Sequence, residues 1–491
     1  MPTSVATFVK QYVKALEEGT AAVFAGAGLS KPSGFVDWKG LLADVVTELA
    51  LPPDTENLIA VAQYHVNEKG GRGHLNQVLI DEFTKDAEPN RNHQLIAKLP
   101  IETIWTTNYD TLLEKALEHA YKRVDVKHQE KQLNTSKPGR HVVLYKMHGD
   151  ISLPNEAVLV KEDYETYESK RKLFSYQLQG DLVSKTFLFI GFSFTDPNVD
   201  YLLARIRGLM GSDLRHHYCF LKRVEKPQPK LDTKGGEVRD GKAEANYQYD
   251  KRRQELLIGD LKRYGIQTVL LEKYEEITSI LELLSLLVHR RNVFVSGSAA
   301  DFQPLGQERL DGLARKLGAT LIQKKRNLTS GIGLGLGGHV VTGAMEALYR
   351  QRGGRVDERL TLRPFPQEVP TGMTREQLWT RYREEMLSRA GAVVFVSGNK
   401  LVEGNVVLAD GCIEEFEVAK KLQRTPIPIG CTGHAAAQVW KEVNANVERF
   451  YKGHADAARA ALATLNNAEK TDDELLTAVF TLLDLGEQSR A

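Results

Sequence analysis

Asn108, in TTNYDTLLE (106–114), and His148, in YKMHGDI (145–151), are the side chains of the first half best suited to breaking a polar bond. A histidine titrates near neutrality and serves as a base or a polarising group. An asparagine amide can position a water or a leaving amide. Each follows an apolar run that reads as a strand. Two further turns have the same placement: GAGLS (26–30), and GFSFTD within FIGFSFTDPNV (189–199). In the first, Gly26, Ala27 and Gly28 make a tight turn that lets backbone N–H groups approach a phosphate. The same turn would also serve a strand-to-helix junction that needs glycine only for its dihedrals. Asn108 and Asp110 read equally as helix caps, His148 as a satisfied histidine, and Ser193 and Asp196 as caps of a helix starting near Pro197. All four stretches fall at the ends of strands, where a doubly wound sheet places its crevice. Their chemistry converges on a nucleotide: amides for a pyrophosphate, small polar groups for riboses, an Asn, an Asp and a titratable His.

The elements that must position them alternate in type. Strand candidates are 21–25, 101–106, 142–147, 186–191, 217–222 and 266–271, with helical patterns between most of them. This rhythm predicts a parallel sheet covered on both faces. Residues 224–253 are polar, charged and rich in Pro and Gly, and read as a solvated insertion leading into a helix. A helical stretch, 276–290, closes the first domain, and a second α/β alternation follows. The boundaries expected are 1–287 and 288–491, two Rossmann-like doubly wound α/β domains, as the length of 491 residues suggests.

Composition narrows the classes. The formal net charge is +1, from 65 basic and 64 acidic side chains, which gives no footing for nucleic acid or an anionic membrane. The longest apolar runs, such as FLFIGF (187–192), are too short to span a bilayer. The N-terminus reads as an amphipathic helix, not a signal peptide. Three cysteines, Cys219, Cys412 and Cys431, lack CxxC spacing, so neither a disulfide framework nor a cysteine-rich zinc site is expected. No metal is expected, and a cytoplasmic location fits best.

In the second half, VFVSGSA (293–299), with Gly297 and Ser298, and the loop SGIGLGLGGH (330–339) each follow a strand and precede a helix. Such loops bind nucleotide phosphates and also occur as plain turns. Arg383 in RYREEML, Lys400 in VSGNK and Glu415 in DGCIEEFE are expected near one carboxyl edge. The two cations suit a diphosphate and the carboxylate suits ribose hydroxyls.

The order GAGLS, TTNYD, MHGD, GFSFTD over residues 10–285 resembles the sirtuin family, with its GAG-I-S, T-Q-N-x-D, H-G and G-T-S segments. The resemblance implies an NAD pocket. Ala27, Gly28 and Ser30 would line the diphosphate and adjacent ribose, and Asn108 and Asp110 the nicotinamide and its ribose. His148 would meet the ribose hydroxyls, and Gly191 and Ser193 the adenosine side. The chain departs from sirtuin deacylases in two ways. It cannot build their four-cysteine zinc site, and FVDWKGLL (35–42) carries no arginine where they have D-F-R. Both departures point away from an acyl-lysine peptide and towards water as the acceptor. NAD+ is then a substrate, with no cofactor. Asn108 and His148 are the expected catalytic residues.

The second half resembles the SLOG superfamily, but DGCIEEFE lacks the Gly-Gly and Thr of its nucleotide hydrolases, so sensing is expected of it rather than catalysis. A zinc-free sirtuin-like domain followed by a SLOG domain resembles the NADase effectors of the Thoeris anti-phage system. That resemblance implies a homotetramer whose SLOG pocket binds a cyclic ADP-ribose isomer made by a TIR-domain partner, through Gly297, Ser298, Arg383, Lys400 and Glu415. The rival readings are an NAD-dependent protein deacylase and a non-catalytic nucleotide sensor.

Overall fold

The computed structural model describes residues 2–489 except 54, 56, 195, 212, 228–229, 232–236, 239–240 and 351–358. Part of the polar insertion 224–253 thus lies outside the described residues. Its C-terminal part is helical from Gly241, in a helix running to Arg263. The chain divides into two units, Met1–Ser285 and Leu286–Ala491.

In the first unit seven parallel strands form one sheet among the described residues: β1 (Ala21–Ala25), β2 (Thr103–Thr106), β3 (Val124–Lys127), β4 (Val142–Lys146), β5 (Thr186–Ile190), β6 (His217–Lys222) and β7 (Ile266–Leu271). Their order is β3-β4-β2-β1-β5-β6-β7. AAVFA and TFLFI are apolar throughout because both faces of β1 and β5 are buried. The sequence hides β3 because its VDVK alternates charge with valine. Its Lys127 Nζ and Asp125 Oδ1 pair at 2.8 Å, which lets both charges sit buried.

From β1 the chain winds first to one side, through β2, β3 and β4, and then returns to the other side with β5. The junction between β1 and β5 is the switch point of a doubly wound sheet, where ligands bind beyond the carboxyl ends. The four motifs follow β1, β2, β4 and β5, four neighbouring strands. The helix Val5–Glu17 buries Phe8 and Tyr12, and Tyr12 donates to Ala22 O at 2.8 Å. Between β1 and β2 lies a helical block, Ala43–Glu48, Leu58–Lys69 and Gly73–Phe83, whose core includes Val45, Val61, Leu75, Leu79 and Tyr109.

The second unit holds a five-stranded parallel sheet among the described residues: β8 (Asn292–Ser298), β9 (Asn327–Ser330), β10 (Leu360–Leu362), β11 (Ala392–Ser397), and, after a hairpin, β14 (Thr425–Ile429), in the order β10-β9-β8-β11-β14. The hairpin pairs β12 (Asn399–Val402) with β13 (Asn405–Leu408) in antiparallel register. Its turn residues Glu403 and Gly404 both have positive φ, 51° and 82°, as a type I′ turn requires. A Glu-Gly pair lacks the Asn-Gly or Asp-Gly signature that marks such turns in a sequence. Among the described residues, no helix is long and apolar enough to cross a membrane.

Candidate active site and sensing site

The tight turn after β1 is shorter than expected, because Ala27–Ser30 already forms a helical turn with Gly26 at its N-cap. Gly26 N–H donates to Ile190 O at 3.0 Å and Gly28 N–H to Gly191 O at 2.9 Å. A Cβ on Gly26 would stand 2.4 Å from Gly191 O, one on Gly28 2.9 Å from Gly191 Cα, and one on Gly191 2.2 Å from Leu29 N. Gly191 also has φ of +65°. The glycines of both turns are therefore set by the close approach of two backbones across the switch point. This corrects the amide-cradle reading for Gly28, whose N–H is already engaged; it would line a pocket by its Cα.

Around that contact the polar side chains form a chain of hydrogen bonds. Asn108 Nδ2 donates to Gly26 O at 3.2 Å and to Ser30 Oγ at 3.0 Å. Ser30 Oγ donates to Asp110 Oδ2 at 2.8 Å, and Asp110 Oδ1 accepts from Leu112 N–H at 3.0 Å. The turn after β2 is thereby locked to the turn after β1. With both Asn108 amide protons engaged, its carbonyl oxygen is the atom left to meet a water or a nicotinamide amide. Ala27, Ser30, Asp37, Trp38, Asn108 and Asp110 line a cavity of about 40 Å³. That volume holds water, whereas ligand pockets run to hundreds of Å³.

Lys146, the last residue of β4, fixes the same loop from below. Its ammonium is fully buried and donates to Asp110 O at 2.6 Å, Tyr109 O at 3.1 Å, Glu114 Oε1 at 2.9 Å and Asp150 Oδ2. Burial alone would lower its pKa, but Glu114 and Asp150 outweigh that and raise it, so the lysine stays charged. His148 follows. Its ring is buried edge-on to Tyr164, centroids 5.7 Å apart. His148 Nε2 lies 3.1 Å from Asp196 Oδ2, within ion-pair reach though not aligned as a hydrogen bond. Asp196 Oδ1 meanwhile accepts from Asn198 and Val199 N–H at 3.0 and 3.1 Å, capping the helix Pro197–Met210. Burial pushes the Asp196 pKa up, but His148 and these amides together bring it below its ordinary value. Asp196 thus does two jobs, and sequence reading found only the cap. Gly191 and Ser193 lie exposed after β5.

In the second unit, Arg383 and Glu415 come together and Lys400 joins them indirectly. Glu415 Oε2 accepts from Ser296 Oγ of β8 at 2.6 Å. Arg383 Nη1 meets Glu414 Oε2 at 2.5 Å, and its Nε lies 3.8 Å from Glu415 Oε1 with no hydrogen bond. The guanidinium stacks over Phe365 at 5.0 Å and Trp379 at 5.9 Å. Burial pushes the Glu415 pKa up to about 7, against the pull of Ser296 and Arg383. Lys400, part exposed, pairs with Asp410, the first residue of the helix Asp410–Lys421 that carries Glu415. Gly297 faces Val396 across the β8–β11 pairing, where a Cβ would stand 2.3 Å from Val396 O, and a Cβ on Gly333 would meet Gly297 O at 1.9 Å. The Gly-rich loop therefore needs glycine for packing against β8. Ser298 Oγ donates to Asn399 O at 2.8 Å.

Comparison with known proteins accounts for both units. A SIR2-like domain model matches residues 102–238, and the model of the Sir2- and TIR-associating SLOG family matches residues 276–485. The chain is 42% identical over 480 residues to NAD(+) hydrolase ThsA of Bacillus cereus (strain MSX-D12), covering 97% of this chain and 98% of that one. The chain belongs to the ThsA NAD(+) hydrolase family. It is also 40% identical to NAD(+) hydrolase ThsA of Acinetobacter baumannii (strain 532279), over 97% of this chain and 98% of that one. Defense-associated sirtuin 2 of Bacillus subtilis is 27% identical over 235 residues, 46% of this chain and 23% of that one.

Within this ThsA-family chain, sequence reading missed Lys146, Glu414 and Ser296. Lys146 gave one signal, a lysine at the end of an apolar strand four residues before an aspartate. Glu414 adjoins Glu415, and only the packing of Arg383 against the helix start shows that one cation serves both.

Proposed function

We propose that this chain is an NAD+ glycohydrolase that splits NAD+ and water into nicotinamide, ADP-ribose and a proton. The observation that carries the reading is the linked array Asn108–Ser30–Asp110 beside His148–Asp196 at the switch point of a ThsA-family sheet. The nicotinamide–ribose bond breaks through an oxocarbenium-like state, as in glycoside hydrolysis. The Asn108 carbonyl oxygen positions the attacking water or the leaving amide. His148, held by Asp196, engages the ribose hydroxyls as base or polarising group. Ala27, Gly28 and Ser30 line the diphosphate and adjacent ribose, Asp110 the nicotinamide ribose, and Gly191 and Ser193 the adenosine side. The reaction needs no cofactor.

The second unit serves as the switch. A cyclic ADP-ribose isomer, supplied by a TIR-domain protein of the same defence system, binds through Gly297, Ser298, Arg383, Lys400 and Glu415. It activates only by binding the active arrangement more tightly than the inactive one. The protein works in the cytoplasm as a homotetramer, and depletion of NAD+ aborts infection. Purified protein should release nicotinamide from NAD+ when a cyclic ADP-ribose isomer is added, and Asn108→Ala should not. Consumption of NAD+ that requires an acyl-lysine peptide would support the deacylase reading instead.

A further inference from the structure

The helical block between β1 and β2 brings three metal-ligating side chains to one point. Glu48 ends the helix Ala43–Glu48, His65 lies within Leu58–Lys69, and His74 is the second residue of Gly73–Phe83. His65 Nε2 lies 3.1 Å from Glu48 Oε2, and His74 Nε2 3.9 Å from Glu48 Oε1. The three donor atoms lie within 4.8 Å of one another. The two imidazoles are 4.9 Å apart at 33°. His65 is fully buried, its Nδ1 has no hydrogen-bond partner, and its other nitrogen is aimed at the carboxylate.

We propose that Glu48, His65 and His74 form a zinc site that ties the three helices together. Two imidazoles and a carboxylate are a suitable donor set for Zn²⁺, with solvent completing a tetrahedron. Zinc bonds of about 2.0–2.2 Å put donors about 3.3 Å apart. The His65–Glu48 pair already has that spacing, and the widest pair of donors reaches it by closing about 1.5 Å. His74 and Glu48 are part exposed, which leaves the solvent side open. Lys69 Nζ, 3.2 Å from Glu48 Oε2, competes for the carboxylate, but its side chain is half exposed and free to swing into solvent. The site is structural. Val45, Val61, Leu75 and Leu79 of these helices share one core with Leu41 and Tyr109, which also line the Asn108 cavity. Clamping the helices firms that wall. No short ligand spacing marks the site in the sequence, since its donors are scattered over three helices.

The test uses the full chain, stripped with a chelator and dialysed against Zn²⁺. Bound zinc and the thermal unfolding midpoint are measured for wild type, His74→Ala and Lys69→Ala. His74 is part exposed, so its removal leaves the core intact. The expected result is one zinc per chain with a raised midpoint, at least a tenfold loss of affinity in His74→Ala, and undiminished affinity in Lys69→Ala. No retained zinc, or equal retention by His74→Ala, would overturn the site and leave an ion-pair cluster around Glu48.

Discussion

Asn108 Nδ2 donates to Ser30 Oγ at 3.0 Å, so the residue expected to do chemistry after β2 is oriented by a serine on the turn after β1. Ser30 in turn is fixed by Asp110. Ser30→Ala removes the middle of that chain and frees the Asn108 amide to rotate. The expected cost is a fall in kcat of about 10–100-fold, the scale for a misplaced reacting group, with little change in unfolding temperature. Steady-state nicotinamide release beside a thermal melt checks both halves.

Asp196→Asn separates the charge beside His148 from the helix cap. Asparagine caps as well as aspartate, so Asn198 and Val199 keep their acceptor. The side chain facing His148 Nε2 becomes neutral. Turnover should drop and its pH profile should move, while stability changes by less than about 1 kcal/mol. A variant as active as wild type with an unmoved profile would remove Asp196 from the account.

Lys146→Met leaves Glu114 and Asp150 buried without their cation. One-sided loss of a buried pair costs about 3–5 kcal/mol. Denaturant unfolding of the variant should show a loss on that scale, with the loop holding Asn108 the first to lose protection from hydrogen exchange.

Glu415 gives the second unit a pH dependence of unusual sign. Its folded pKa, raised by burial to about 7, stands above its unfolded value, so the folded state binds the extra proton. The contribution, at most about 3 kcal/mol, is fully present below the ordinary carboxylate range and is lost as pH rises through about 7. Unfolding midpoints across that window should fall for wild type relative to Glu415→Gln, which keeps a neutral side chain at every pH. Parallel curves for the two would contradict the assignment.

Much of this was open to sequence reading. The apolar runs of β1, β5 and β11 and the polar turns after them mark the sheets and their carboxyl ends, because buried parallel strands must be apolar on both faces. What stayed hidden depends on contacts distant in sequence. Gly28 and Gly191 are both visible as glycines, but their reason is each other's backbone. Asp196 reads as a cap until His148 is seen facing its second oxygen. The buried pair Asp125–Lys127 disguises β3 as a polar segment. The hairpin β12–β13 turns on Glu403, a residue that carries no turn signature.

The central claim is that a ligand on the second unit switches on bond cleavage at Asn108 and His148. The most direct measurement is the initial rate of nicotinamide release from NAD+ across a titration of cyclic ADP-ribose isomers. The account predicts negligible release without ligand, saturable activation by one isomer in wild type, and loss of that activation in Arg383→Ala. A rate that is the same with and without every isomer would contradict it.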